Sequence, residues 1–258
     1  MGLSSASSRL QVEVFYYHFG DDKLRFLNTV VPFVSSTISF VFAYIVLSRY
    51  FRKRSGHAHS LLWGIGIIFY GIGGFCEGFY GAFGWNPLIY RMWYLFGAIL
   101  VAAWLGQGTV YLLVKKRVAN SLMVVLALGS VYALVRVVTA QLDPTLLTAS
   151  VHTGSELSGH AIVTPGVRTL TPFFNLYGTL TLVGGALYSA WLFWRKRVLL
   201  HRTVGNILIA VGAIFPAFGG TFSRLGVPGA LYISEVLGVI LIFLGFLRTT
   251  TPMITTQT

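Results

Sequence analysis

Residues 228–247 read PGALYISEVLGVILIFLGFL and run into Arg248. A helix of this length crosses the ~30 Å hydrocarbon core of a bilayer. In lipid a helix is also the form that satisfies its backbone polar groups within one segment. The run carries a single charge, Glu235, and no lysine. Six apolar runs of similar length precede it, at about 27–49, 60–83, 87–114, 119–140, 172–194 and 203–222. The expected fold is therefore an all-α integral membrane protein with seven transmembrane helices forming one domain over 27–248.

Composition points the same way. The chain is 55% hydrophobic and only 10% charged, against about 25% charged in soluble domains. A net charge of +12 would suggest nucleic acid in a soluble protein. Here the basic residues sit in short turns between apolar runs, so no nucleic acid is expected. The lone Cys76 excludes an intrachain disulfide and CxxC chemistry. The first 26 residues are polar and mixed, so no cleavable leader is expected.

The turns set the orientation. Arg49, Arg52, Lys53 and Arg54 follow the first run, and Lys115, Lys116 and Arg117 follow the third. Arg195, Lys196, Arg197 and Arg202 follow the fifth, and Arg248 follows the seventh. These twelve basic residues include no Asp or Glu among them, and the positive-inside rule places them in the cytoplasm. The N-terminal tail 1–26 and a long loop, 141–171, then lie outside, and a short tail, 249–258, lies inside. The expected location is the plasma membrane, with the basic turns touching anionic lipid headgroups.

The first three runs resemble the last three. Pro32-Phe33 and Pro172-Phe173 open the first and fifth, and Phe51-Arg52-Lys53-Arg54 and Trp194-Arg195-Lys196-Arg197 close them. Gly73-Gly74 parallels Gly219-Gly220, and Pro87 parallels Pro228. The expected arrangement is a parallel 3+1+3 repeat, with halves at about 27–114 and 172–248 and a linker helix at 119–140. This architecture resembles that of SWEET-type sugar transporters and of microbial opsins, as topology alone. The first three runs also resemble the seven-helix sensor regions of bacterial histidine kinases, with no kinase attached. No Pro-Gln pair of the transporter type occurs, and all five lysines (Lys23, Lys53, Lys115, Lys116 and Lys196) lie outside the apolar runs. Val239 stands about where the opsin resemblance would place a Schiff-base lysine. No retinal and no other cofactor is expected.

Intramembrane charges are costly and usually mark function. Residue counting along each run puts Glu77, Arg91, Arg136, Arg224 and Glu235 in one outer layer, each from a different helix. Glycines 73, 74 and 81 and Tyr80 flank Glu77 at helical spacing, so a neighbouring helix can approach closely. Two expectations follow: an outward-facing pocket whose excess arginine suits an anionic ligand, or a structural ion-pair network in which arginine forks hold the carboxylates. His152, Glu156 and His160, four apart in the long loop, are weak metal candidates, because the Gly and Ser between them oppose a helix. Trp63, Trp85, Trp93 and Trp194 lie near helix ends and are expected in the interfacial belts. No His lies inside a run, and no HExxH or Walker sequence occurs, so an enzyme is not expected. The leading expectation is a sensor or receptor-like protein acting through a signalling partner or as a homo-oligomer. A small-solute transporter and a structural subunit of a membrane complex are the alternatives.

Overall fold

The computed structural model describes residues 3–52, 58–148, 157–196, 200–225, 227 and 229–250, with the side chains of 3–25, 148 and 224 outside that description. Seven helices are long and apolar enough to cross a membrane. They are α1 (Leu3–Arg52), α2 (Ala58–Phe83), α3 (Pro87–Leu113), α4 (Lys116–Val138), α5 (Leu170–Arg195), α6 (Leu200–Arg224) and α7 (Ala230–Thr250). The backbone of α1 is helical from Leu3, well before the apolar stretch that begins at Phe26. Hydropathy could not reveal that extension, because residues 1–26 carry no apolar run.

Local chemistry sets the turn between α2 and α3. Gly84 takes a left-handed φ of 82°, and its N–H donates to the Tyr80 carbonyl at 2.8 Å, a glycine stop for α2. The Asn86 side chain then accepts from the Ile89 N–H at 3.0 Å, and Pro87 occupies the first helical turn, where its missing N–H costs nothing. Within α3, residues Trp93–Leu100 form a π-helical segment. Such segments frequently mark functional sites.

Lipid gives helices little hydrophobic reason to associate, so close backbone packing matters most. Among the described residues, α6 and α7 share the most extensive helix–helix contact. A Cβ added to Gly212 would stand 2.6 Å from the Gly238 carbonyl oxygen, and one on Gly238 would stand 2.8 Å from that of Gly212. Gly205 and Gly245 face each other with the same closeness, at 2.8 and 2.5 Å. Pro216, inside α6, has no N–H to give the Gly212 carbonyl four residues back. That carbonyl is the one lying against Gly238. α1 and α2 also pack closely, and the Ser36 hydroxyl donates to the Gly71 carbonyl at 2.8 Å. α4 stands apart, with only 22% of its apolar window buried.

The described parts of the connection, 141–147 and 157–169, fold onto the bundle. A short helix, Pro144–Thr148, begins it. The Asp143 N–H reaches the Ala161 carbonyl at 2.9 Å, and the Val163 N–H reaches that of Gln141 at 3.0 Å. Leu157, Ala161, Ile162 and Val167 are buried against Trp85, Tyr90, Trp93 and Tyr94. Trp63, Trp85 and Trp93 therefore point inward and are buried, while Trp194 is 65% exposed. For the first three, ring contacts with neighbouring aromatic residues replace the headgroup position expected from their place in the chain.

Candidate functional site

Helical spacing brings one stripe from each of several helices to a common cavity of about 430 Å³. Tyr70, Gly73, Gly74 and Glu77 fall on one face of α2, at steps of three and four. The two glycines leave open the space between the tyrosine and the carboxyl. Thr171, Asn175, Thr179 and Leu182 supply the α5 wall, and Leu231, Glu235 and Ile242 the α7 wall. Ala213, Pro216, Ala217, Gly220 and Thr221 line it from α6. The π segment of α3 contributes Trp93, Tyr94, Gly97 and Ala98. Gly97 lets α2 close in, since a Cβ there would stand 3.2 Å from the Gly73 Cα.

Glu77 is the most buried charged residue of the cavity wall, 1% exposed. Its Oε1 accepts from Trp93 Nε1 at 2.9 Å. Among the described residues its Oε2 is buried with no partner, and so is Glu235 Oε2. Both residues line the same cavity. The Tyr70 hydroxyl donates to the Glu235 backbone carbonyl at 2.9 Å, tying α2 to α7 beside the pair. On the far wall, Asn175 Nδ2 donates to the Ala98 carbonyl at 3.1 Å, and the Tyr94 and Thr171 hydroxyls share a bond of 2.9 Å.

The cavity rises to the folded connection, where Ser158 joins its lining. The Ser158 carbonyl accepts from the Tyr90 hydroxyl at 2.7 Å, and the residue holds a positive φ of 45°. A non-glycine residue takes that conformation only when its surroundings impose it.

Glu77 and Glu235 thus line one cavity, whereas Arg91 and Arg136 go elsewhere. Arg91 donates from Nη2 to the Ala140 carbonyl at 2.8 Å and from Nε to that of Val137 at 3.3 Å. It caps the C-terminus of α4, a favourable place for a cation. Arg136 donates to the Pro165 carbonyl at 2.5 Å and lies near the Tyr132 ring. Arg224 ends α6, and its side chain lies outside the described residues. Among the described residues no salt bridge joins an arginine to Glu77 or Glu235, and no Lys, Arg or His lines the cavity.

Of the loop candidates for metal, His152 and Glu156 lie outside the described residues. His160 Nδ1 is within 3.0 Å of the Leu157 carbonyl, and among the described residues no three His, Cys, Asp or Glu gather. Nearby, hydrogen bonds from the hydroxyl and N–H of Thr145 hold the exposed Asp143 carboxyl below the usual carboxylate range.

Sequence reasoning missed Tyr70, Trp93, Asn175 and Pro216. A signal did exist for Tyr70, which lies two helical turns before Glu77 on the same face. Trp93 was hidden by its place near a helix end, where tryptophan is common for another reason. Comparison with known proteins adds no relative: no family model, curated protein or solved structure matches this chain.

Proposed function

We propose that the chain is a receptor-like membrane protein that binds a small, largely apolar ligand between α2, α3 and α5–α7. The cavity itself carries this reading: about 430 Å³, apolar walls, and a few convergent polar groups, the usual make-up of a small-molecule site. Positive-inside bias supports placing the basic turns in the cytoplasm, so that the cavity opens beneath the outer connection. The peripheral position of α4 suits a linker between two triplets, in keeping with a 3+1+3 arrangement. Two carboxyl groups with no basic residue beside them favour a hydrogen-bond donor or a cation over an anion. The signal passes to a partner through the bundle.

A thermal-shift titration with the neutral cage alcohol 1-adamantanol tests the site. Gly220→Leu serves as the filled-cavity variant, because a Cβ at Gly220 has only the Leu231 side chain, 3.9 Å away, within contact distance. Stabilisation of the natural chain and none of the variant is the expected result. Equal shifts in both would remove the cavity from consideration. Net accumulation of the probe in proteoliposomes would move the protein to the transporter class.

A further inference from the structure

Most seams around the cavity are held shut by close contacts. Gly73 and Gly97 bring α2 against α3, and Tyr70 bonds across to the Glu235 carbonyl of α7. α3 meets α5 where a Cβ on Gly178 would stand 2.6 Å from the Ala103 nitrogen. The Tyr94–Thr171 and Asn175–Ala98 bonds continue that seam outward. α6 meets α7 at Gly212 and again at Gly219, where an added Cβ would stand 2.7 Å from the Ala230 carbonyl oxygen. The seam between α5 and α6 changes along its length. Toward the basic turn that joins them, Leu182, Val183 and Ala186 of α5 and Ile209 and Ala210 of α6 belong to one buried cluster. Farther out, the cavity wall reaches the surface. Thr179 of α5 and Ala217 and Thr221 of α6 line the cavity and are exposed, whereas every other lining residue is buried or half-buried. These three lie about 5–14 Å inside the Leu170 end of α5 and the Arg224 end of α6, at 1.5 Å per residue. α5 itself is about 39 Å long on the same rise, longer than the ~30 Å hydrocarbon core, so the opening falls among acyl chains.

Resting on the reading of the cavity as a ligand site, we propose that its ligand is an uncharged, alcohol-type lipid that enters sideways from the bilayer, between the outer halves of α5 and α6. The rim of the opening is hydrocarbon: Leu176 and Leu180 of α5 and Phe218 and Phe222 of α6 are all exposed beside it. The Thr221 hydroxyl is already given to the Ala217 carbonyl at 2.9 Å, so it adds no free polar group there. A charged molecule would have to shed its water to cross such a rim, at high cost. A ligand dissolved among acyl chains has no such barrier. The opening is also edged by small side chains. A Cβ at Gly220 would have only the Leu231 side chain within 4 Å, so no bulky group has to swing away. Inside, the apolar walls take a hydrocarbon body, and the few polar groups of Tyr70, Thr171 and Asn175 suit one small polar head.

The test uses the full chain in phosphatidylcholine nanodiscs with tritiated 1-adamantanol bound. Two competitors carry the same hydrocarbon cage. One is a phosphatidylcholine with an adamantyl group on one acyl chain, built into the disc and confined to it. The other is trimethyl(1-adamantyl)ammonium, permanently charged and kept to the water. Bound label should be lost to the lipid-borne cage and retained against the charged one. Ala217→Trp places a large ring at the opening on an exposed position, and it should abolish displacement by the lipid-borne cage. Gly184→Trp is the control. Gly184 is also exposed on α5, nothing lies within 4 Å of its Cβ position, and it does not line the cavity. Displacement should survive there. If the label binds and the lipid-borne cage fails to displace it, the lateral route is overturned while the ligand site stands. Displacement by the charged cage overturns both the route and the ligand class. Displacement by the lipid-borne cage that is undiminished in Ala217→Trp overturns the assignment to α5 and α6. If the label does not bind the natural chain at all, the ligand site falls and the route with it. Should Ala217→Trp not fold, Thr179→Trp obstructs the same opening from α5.

Discussion

Replacing Gly212 by alanine puts the packing of α6 on α7 to a quantitative test. The new methyl would stand 2.6 Å from the Gly238 carbonyl oxygen, roughly 0.7 Å inside the ~3.3 Å at which a carbon and a carbonyl oxygen touch. The obstacle is backbone on a helix, so it cannot swing aside as a side-chain tip would. The helices must separate, at the ~1–3 kcal/mol typical of overpacking. Opposing this, alanine is about 1 kcal/mol better than glycine inside a helix. The net expectation is a loss of about 0–2 kcal/mol for Gly212→Ala, and similarly for Gly238→Ala. The double variant is more diagnostic. Either methyl alone opens the same gap, so the second should cost less than the first, giving coupling of about 0.5 kcal/mol or more. Gly184→Ala is the control: nothing lies within 4 Å of its Cβ position, so it should be neutral or stabilising. Unfolding in mixed micelles followed by circular dichroism measures all four. If Gly212→Ala and Gly238→Ala each stabilise as much as Gly184→Ala, the helices are not in backbone contact and the reasoning fails.

Trp93→Phe removes the donor to Glu77 Oε1 and should cost about 1–3 kcal/mol, the range for leaving a buried acceptor unsatisfied. A double-mutant cycle with Glu77→Gln would show no coupling if that bond carries none of the loss. Arg91→Gln should destabilise by about 1–3 kcal/mol through the lost charge-assisted bonds to α4 carbonyls, while probe binding in the cavity stays at its original affinity; a binding loss would place Arg91 in the site after all. Asp143 is held below its ordinary range in the folded connection, so its contribution is present above its unfolded pKa and is lost as pH falls through the lower, folded value. Hydrogen exchange over Pro144–Thr148 should quicken in that acid window, and Asp143→Asn should flatten the response.

Hydropathy and turn charge made the seven helices readable, because both are one-dimensional properties of the chain. Counting residues from helix ends put Glu77 and Glu235 at similar levels, and both line the cavity. Azimuth was not readable. The same count put Arg91 at that level, yet its side chain leaves α3 toward α4 and the carbonyls of Val137 and Ala140. Nothing in a linear count distinguishes that direction from one toward Glu77. The long connection looked like solvated loop because of its Ser, Thr and Gly. Several of its apolar residues, Leu147, Leu157, Ile162 and Val167 among them, are nevertheless buried with the aromatic cluster. Orphaned oxygens depend on tertiary distances and left no trace in composition.

The π segment of α3 changes what a single inserted or deleted residue would mean for this protein. A π turn is an α-helix carrying surplus chain. Deleting one residue from Trp93–Leu100 would remove that surplus and let α3 wind regularly, with its two halves keeping nearly their present facing. The same deletion in the regular stretch Val101–Leu113 would turn the two halves against each other by about 100°. Hydropathy, length and charge would scarcely differ between the two cases. A sequence alignment across α3 should therefore accept a one-residue gap within the π segment and resist one beyond it.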